Sequence, residues 1–216
     1  MMTITRYPLL GLLGGTFDPV HHGHLAIAEH CLNQYAMQSI QFIPNQNHFH
    51  KPDVQASASD RVSMLELAIA KHPQWSINTI ELFNDKPAYT IDTVALLKGS
   101  FPNHSLCFIL SVEAFNGFNT WKNYLHIIDH CHLIILGRSG HLLEYHTWQQ
   151  QLLSDFSVDH HRELEINPHG KILLDTYTPP AITSSEIRNQ IKRNDQQAVE
   201  IDPAVKDYIK THDLYR

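Results

Sequence analysis

Gly14-Gly15-Thr16-Phe17-Asp18-Pro19-Val20-His21-His22-Gly23-His24-Leu25 follows directly on the apolar run Leu9 to Leu13. The apolar run reads as a strand feeding a phosphate site. Two glycines let backbone N–H groups approach an anion and supply turn conformations closed to other residues, so Gly14 and Gly15 are candidate phosphate contacts. Pro19 cannot continue a strand, and from Gly23 to Tyr35 the apolar positions Leu25, Ala28, Cys31, Leu32 and Tyr35 recur at the spacing of an amphipathic helix. The cluster His21, His22, Gly23, His24 therefore sits where a helix begins. Such an end offers unpaired N–H groups and partial positive charge, and imidazoles add donors whose charge adjusts near neutral pH. That combination suits a nucleotide triphosphate. A zinc site is disfavoured, because neither CxxC nor HExxH accompanies the histidines; GxGxxG and the GKS/GKT phosphate loop are absent as well.

Outward from this stretch, short apolar runs alternate with helical patterns. Ile40 to Ile43 reads as a strand ending at Pro44, Asp60 to Lys71 as a helix with Met64, Leu65, Ala68 and Ile69 inward, and Trp75 to Ile80 as a half-buried strand. Thr90 to Lys98 reads as a helix stopped by Gly99, with Leu106 to Leu110 and Leu133 to Leu136 as compact strands. Leu142 to Pro168 is more polar and peripheral, with a helix over Trp148 to Phe156 and no periodicity after it. Lys171 to Leu174 returns as a last strand, Pro179-Pro180 breaks the chain before a helix from Ser184 to Arg193, and Asp202-Pro203 caps and opens a helix carrying Val205, Tyr208 and Ile209. The alternation predicts an α/β fold, a Rossmann-like, doubly wound and mainly parallel sheet flanked by helices, with ligand bound beyond the carboxyl ends of strands at the switch point.

The 216 residues, 43% of them hydrophobic, suffice for one full core. The expectation is a single domain over 1–216, with the helical part from about 180 to 216 packed on it. A net charge of -6 without a Lys/Arg stripe argues against a nucleic-acid backbone as partner. The apolar stretches are too short for a bilayer span, and no secretory signal is visible. The three cysteines Cys31, Cys107 and Cys131 are odd in number and widely separated, which favours buried free thiols and a cytoplasmic setting. Most of the 17 histidines lie in polar surroundings and read as surface.

A second constellation is Ile182-Thr183-Ser184-Ser185-Glu186-Ile187-Arg188. A hydroxyl cap, an acid in the first turn and an apolar face describe an ordinary helix start. Helix-terminal amides, two serine hydroxyls and Arg188 one turn in also make an anion cradle.

Taken together, His-x-Gly-His after Gly-Gly-Thr-Phe-Asp-Pro resembles the signature of the HIGH-motif nucleotidyltransferase superfamily. Ile182 to Arg188 resembles its I-S-S-T/S-x-I-R motif, with Thr183 in a serine position. Further matches follow in order: Phe42-Ile43-Pro44-Asn45, His50-Lys51-Pro52, Arg61 with Met64-Leu65-Glu66-Leu67-Ala68, Tyr89-Thr90, Thr120-Trp121, Arg138 and Leu214-Tyr215-Arg216. Over nearly its whole length the chain resembles the bacterial nicotinate-nucleotide adenylyltransferase family.

That resemblance implies transfer of AMP from ATP to nicotinate mononucleotide, giving deamido-NAD and pyrophosphate in NAD biosynthesis, with Mg²⁺ arriving on ATP and no metal held by the protein. It implies that His21, His24 and Arg188 carry catalysis, the histidines at the α-phosphate. Gly14, Gly15, Gly23, His50, Ser184 and Ser185 would join Arg188 in holding phosphates, with Thr16 and Phe17 along the ribose and mononucleotide. Tyr89, Thr90, Trp121 and Arg138 would receive nicotinate mononucleotide, Trp121 offering a ring face for the pyridine. The chemistry suits these residues, since an ionised substrate phosphate is the nucleophile and neither a side-chain nucleophile nor a general base is needed. Asp18 reads equally well as a turn cap, and Lys122 as solvent-facing.

The chain departs from the family after the strand Leu106 to Leu110, where Ser111-Val112-Glu113 replaces Gly-x-Asp, leaving Glu113 as the ribose contact. Ala88 replaces the serine before Tyr-Thr. Alternative readings are an adenylyltransferase for nicotinamide mononucleotide or phosphopantetheine, or a non-catalytic nucleotide-binding regulator.

Overall fold

A computed structural model describes residues 5–46, 54–82, 88–193 and 200–216. The strands are β1 (Leu9–Gly15), β2 (Ser39–Pro44), β3 (Trp75–Ile77), β4 (Ser105–Ser111), β5 (His132–Leu136), β6 (Ser157–Val158) and β7 (Ile172–Leu174). The helices are α1 (His22–Gln34), α2 (Ala58–Ile69), α3 (Thr90–Ser100), α4 (Val112–Asn116), α5 (Tyr124–Ile127), α6 (Thr147–Phe156), α7 (Arg162–Ile166), α8 (Ser184–Lys192) and α9 (Pro203–Thr211), with a 3₁₀ turn at Phe118–Thr120. The seven strands form one sheet in the order β3-β2-β1-β4-β5-β7-β6, and every pair is parallel. The Rossmann-like α/β expectation is met.

The central strands are apolar throughout because both sheet faces are covered. Leu9 and Leu13 enter one hydrophobic cluster, where Cys31, Met64, Val205 and Ile209 also pack, while Leu10 and Leu12 enter the other with Phe115, Phe118 and Leu152. The same two-residue alternation divides β4 and β5 between the clusters. From β1 the chain builds the sheet outward to both sides, β2 and β3 on one and β4 and β5 on the other. The switch point therefore falls beyond the carboxyl ends of β1 and β4.

Three expectations shift. α3 runs through Gly99 to Ser100, where a Cβ on Gly99 would meet nothing; the true stop is Pro102, which disfavours helical backbone at Phe101. β3 ends at Ile77 rather than Ile80 because Asn78 turns the chain, its Oδ1 accepting from Ile80 N at 3.1 Å and its Nδ2 reaching Gln41 Oε1 at 2.9 Å. The aperiodic segment after Phe156 hides the edge strand β6 and α7, whose Leu164 is buried.

The other helices begin as their sequences require. Ser57 and Asp60 exchange capping bonds at α2, Thr183 Oγ1 accepts from Glu186 N at α8, and Asp202 caps α9 with Pro203 in its first turn. Cys31, Cys107 and Cys131 are free and buried. His132 is an exception among the histidines: it is fully buried, Lys171 N donates to its Nδ1 at 3.0 Å, and its Nε2 lies 2.9 Å from the Asn167 carbonyl. Burial is the main cause that pushes its pKa down to about 4. Among the described residues no helix is long and apolar enough to cross a membrane.

Candidate active site

A cleft of about 990 Å³ opens at the switch point, and the two sequence motifs meet in it. The end of β1 brings Gly14 and Gly15 to its wall with Thr16 just after them, and the start of α1 brings Gly23 and His24 with the N-cap residue His21. Gly15 is needed for a close approach, because a Cβ there would lie 2.9 Å from the Phe17 ring. Phe17 itself is buried with φ at 50°, a strained conformation for a bulky residue, and its ring meets that of His24 edge-on at 4.9 Å.

The three clustered histidines separate. His21 and His24 stack with ring centroids 3.7 Å apart, whereas His22 faces outward, its Nδ1 3.2 Å from Glu200. His24 Nδ1 accepts from His21 N at 3.3 Å, so in the neutral ring the hydrogen belongs on Nε2. Burial, then neighbouring His22 and Arg138, pushes the His21 pKa down to about 4, and burial followed by His21 and Arg138 holds that of His24 well below its usual range. At neutral pH both rings are uncharged hydrogen-bond donors in a low-dielectric wall, and a bound phosphate would raise their pKa.

From the far side of the cleft come Ser184, Ser185 and Arg188 at the start of α8. These residues are tied to the histidine loop, not merely opposite it. Ser184 Oγ donates to the Pro19 carbonyl at 3.0 Å, and Arg188 donates from Nη1 to the Asp18 carbonyl at 2.7 Å and from Nη2 to Ser185 Oγ at 3.2 Å. Arg188 is buried, and its Nε has no partner among the described residues. The second motif thus fastens the first as well as facing the cleft.

At the other end, Thr90 and Trp121 line the wall, with Trp121 set edge-on to Phe108 at 6.1 Å. Tyr89 is set off from the wall: it is exposed, with Lys122 Nζ 4.1 Å over its ring and Lys122 also 3.3 Å from Asp92. Arg138 and Glu113 line the cleft as an ion pair at 2.8 Å. Ser111, where the family has glycine, accepts from Ala114 N at 3.2 Å and so caps α4. His50 lies outside the described residues.

Three buried polar groups take roles that the sequence reading did not assign to them, Asp18 being no local turn cap. Arg61, fully buried, donates from Nη1 to the carbonyls of Thr16 at 2.8 Å and Asn45 at 2.9 Å. Its signal was its place on the same inward stripe of α2 as Met64, Leu65 and Ala68. Asp18 accepts from Gln55 N, Ala56 N and Tyr215 Oη. Glu81, buried at the cleft wall with its pKa raised by burial, accepts from Thr93 Oγ1 at 2.7 Å.

Among the described residues no three His, Cys, Asp or Glu side chains converge as a metal-binding group. The cleft's carboxylates are engaged by protein donors, Asp18 as above, Glu81 by Thr93 and Glu113 by Arg138. Such a donor set fits a divalent cation carried by phosphate oxygens and water rather than by protein carboxylates.

The profile of the Cytidylyltransferase-like family matches residues 12–190. A Coxiella burnetii (strain RSA 331 / Henzerling II) protein named "Probable nicotinate-nucleotide adenylyltransferase" is 38% identical over 213 residues, covering 97% of this chain and 99% of its own. The chain belongs to the nicotinate-nucleotide adenylyltransferases. A family member of the same name from Pseudoalteromonas atlantica is 34% identical over 209 residues, covering 97% of this chain and 95% of its own. The fold matches that of the Plasmodium falciparum nicotinic acid mononucleotide adenylyltransferase complexed with NaAD, at a TM-score of 0.75 and 19% identity, over 97% of this chain and 98% of that one.

Proposed function

We propose that the chain adenylylates nicotinate mononucleotide with ATP, releasing pyrophosphate and forming deamido-NAD. The observation that carries this reading is the meeting, in one cleft, of the stacked pair His21 and His24 with Ser184, Ser185 and Arg188. A phosphate oxygen of the acceptor forms its bond to the α-phosphorus of ATP while the bond from that phosphorus to the bridging oxygen breaks, and the electron pair leaves with pyrophosphate. No proton need move. His24 offers Nε2–H to the α-phosphate, His21 adds a second donor, and Ser184, Ser185 and Arg188 hold the departing phosphates together with the Gly14, Gly15 and Gly23 backbone; Mg²⁺ enters as part of the substrate. Catalysis is positioning plus charge stabilisation in a partly desolvated cleft. Thr16 and Phe17 run along the ribose and mononucleotide, while Thr90 and Trp121 receive the pyridine ring. Arg138 meets the acceptor, and Glu113, its ion-pair partner, contacts a ribose. Tyr89 reaches the acceptor by leaving Lys122.

The whole chain works as one unit in this reading, since α8, α9 and Tyr215 share the core of β1. Three buried free thiols support action in the cytoplasm. The test is pyrophosphate release from Mg-ATP with nicotinate mononucleotide, nicotinamide mononucleotide and phosphopantetheine in parallel, with product masses. Turnover with the first well above the others supports the reading; ATP binding without release from any of them refutes it.

A further inference from the structure

Leu214-Tyr215-Arg216 is one of the stretches that resemble the family, and it stands apart from the cleft's two phosphate motifs. After α9 the backbone turns sharply: Leu214 N returns to the Ile209 carbonyl at 3.0 Å, and both Asp213 and Tyr215 adopt left-handed φ, 53° and 62°. For non-glycine residues that conformation is strained and persists only where the surroundings hold it. What it achieves is the burial of Tyr215, 4% exposed, with its hydroxyl 2.7 Å from Asp18 Oδ1. Burial and Asp18 raise the pKa of that hydroxyl, so it stays protonated and donates.

Asp18 is the residue through which the loop is held. Its Oδ2 accepts from Gln55 N at 2.8 Å and its Oδ1 from Ala56 N at 3.1 Å, while its carbonyl accepts from Arg188 at 2.7 Å. On one side of Asp18 stands Phe17, packed on His24; on the other, Pro19 accepts from Ser184 and leads to His21. Rotation of the Asp18 carboxylate would therefore be felt by both stacked histidines and by Arg188. We infer that Tyr215 is a positioning residue for adenylyl transfer, a latch that sets the Phe17–His24 loop through Asp18. The inference rests on the adenylyl-transfer reading. The Tyr215 hydroxyl reaches the loop through its hydrogen bond to the Asp18 carboxylate.

The test is Tyr215→Phe, which keeps the ring and removes only the hydroxyl, with Tyr215→Ala alongside and Asp18→Asn as a second background. The expected result is a kcat lower by at least 10-fold, KM for ATP and acceptor within twofold, and a melting temperature within a few degrees of wild type. In the Asp18→Asn background the same change should lower kcat by less than twofold. A Tyr215→Phe kcat within twofold of wild type overturns the inference, as does a loss that multiplies undiminished onto that of Asp18→Asn. Imidazole ¹H–¹⁵N spectra of His21 and His24, recorded without substrate, separate this from the parent reading. Shifted resonances in Tyr215→Phe support the latch and unchanged resonances overturn it, whereas absence of wild-type turnover refutes the adenylyl-transfer reading alone.

Discussion

Acid should destabilise this protein through His132, and the burial of the imidazole sets the size of the effect. Lys171 N–H occupies its Nδ1 and its Nε2 faces the Asn167 carbonyl, so the ring is fully bonded only when neutral. A second ring proton would point at an amide hydrogen in a buried site. Burial outweighs the opposing hydrogen bond to the Asn167 carbonyl and pushes the folded pKa down to about 4 from the ordinary value of 6.5. Between those values the unfolded chain binds a proton that the folded chain refuses, so stability is complete above pH 6.5 and falls as pH drops, at up to about 1.4 kcal/mol per unit. By pH 5 the loss from this one residue is about 2 kcal/mol. His21, also lowered to about 4, acts with the same sign and steepens the wild-type slope further. Urea denaturation followed by circular dichroism at pH 7, 6 and 5 on wild type and His132→Gln isolates the His132 share. The variant starts lower at pH 7, by about 1–3 kcal/mol, because a buried donor loses its acceptor. On moving to pH 5 the gap between the two proteins should close by about 2 kcal/mol. A gap that stays constant across this range would refute the argument.

His24→Ala should keep the wild-type circular dichroism spectrum and melting temperature while slowing pyrophosphate release about 10²- to 10³-fold, the usual cost of one transition-state donor; a folded variant with wild-type turnover would remove His24 from the mechanism. Because His21 and His24 are neutral in the free protein, ATP binding at pH 7 should take up protons, seen calorimetrically as heats that vary with the buffer's ionisation enthalpy. Equal heats in all buffers would contradict this. Gly11→Ala should cost about 1–3 kcal/mol in denaturant unfolding, since the new Cβ would strike Ile40 Cδ1 and lie 2.9 Å from Met37 Sδ. A variant as stable as wild type would show that these side chains yield freely.

What the sequence revealed and what it hid divide along a physical line. Strands such as Leu106 to Leu110 and helices such as Thr147–Phe156 were legible because burial imposes a period on apolar residues, and Asp202-Pro203 because capping is local. The termini of α3 and β3 were misplaced where Pro102 and the Asn78 side chain outweighed the nearer cue. In the site, glycines, histidines and serines announced themselves by local order. The ties behind them did not: Tyr215 to Asp18, Ser184 to Pro19 and Arg61 to Thr16 join residues far apart in sequence, and no local pattern encodes such a partner. Tyr89 shows the reverse failure, as the motif suggests the cleft while Lys122 draws the ring outward.

The separation of the two halves of the cleft also sets when it can exist. Arg188 is bonded to Asp18 across 170 residues of chain. At about 5–20 residues per second, a ribosome delivers the histidine loop roughly 10–30 s before the helix that clamps it. During that interval β1, an inner strand of the future sheet, must wait beside whichever neighbours have emerged, and no complete phosphate cradle exists to recruit nucleotide. ATP binding therefore rewards only chains whose α8 has docked, and the ligand acts as a stabiliser of the finished protein rather than as a template for the nascent one.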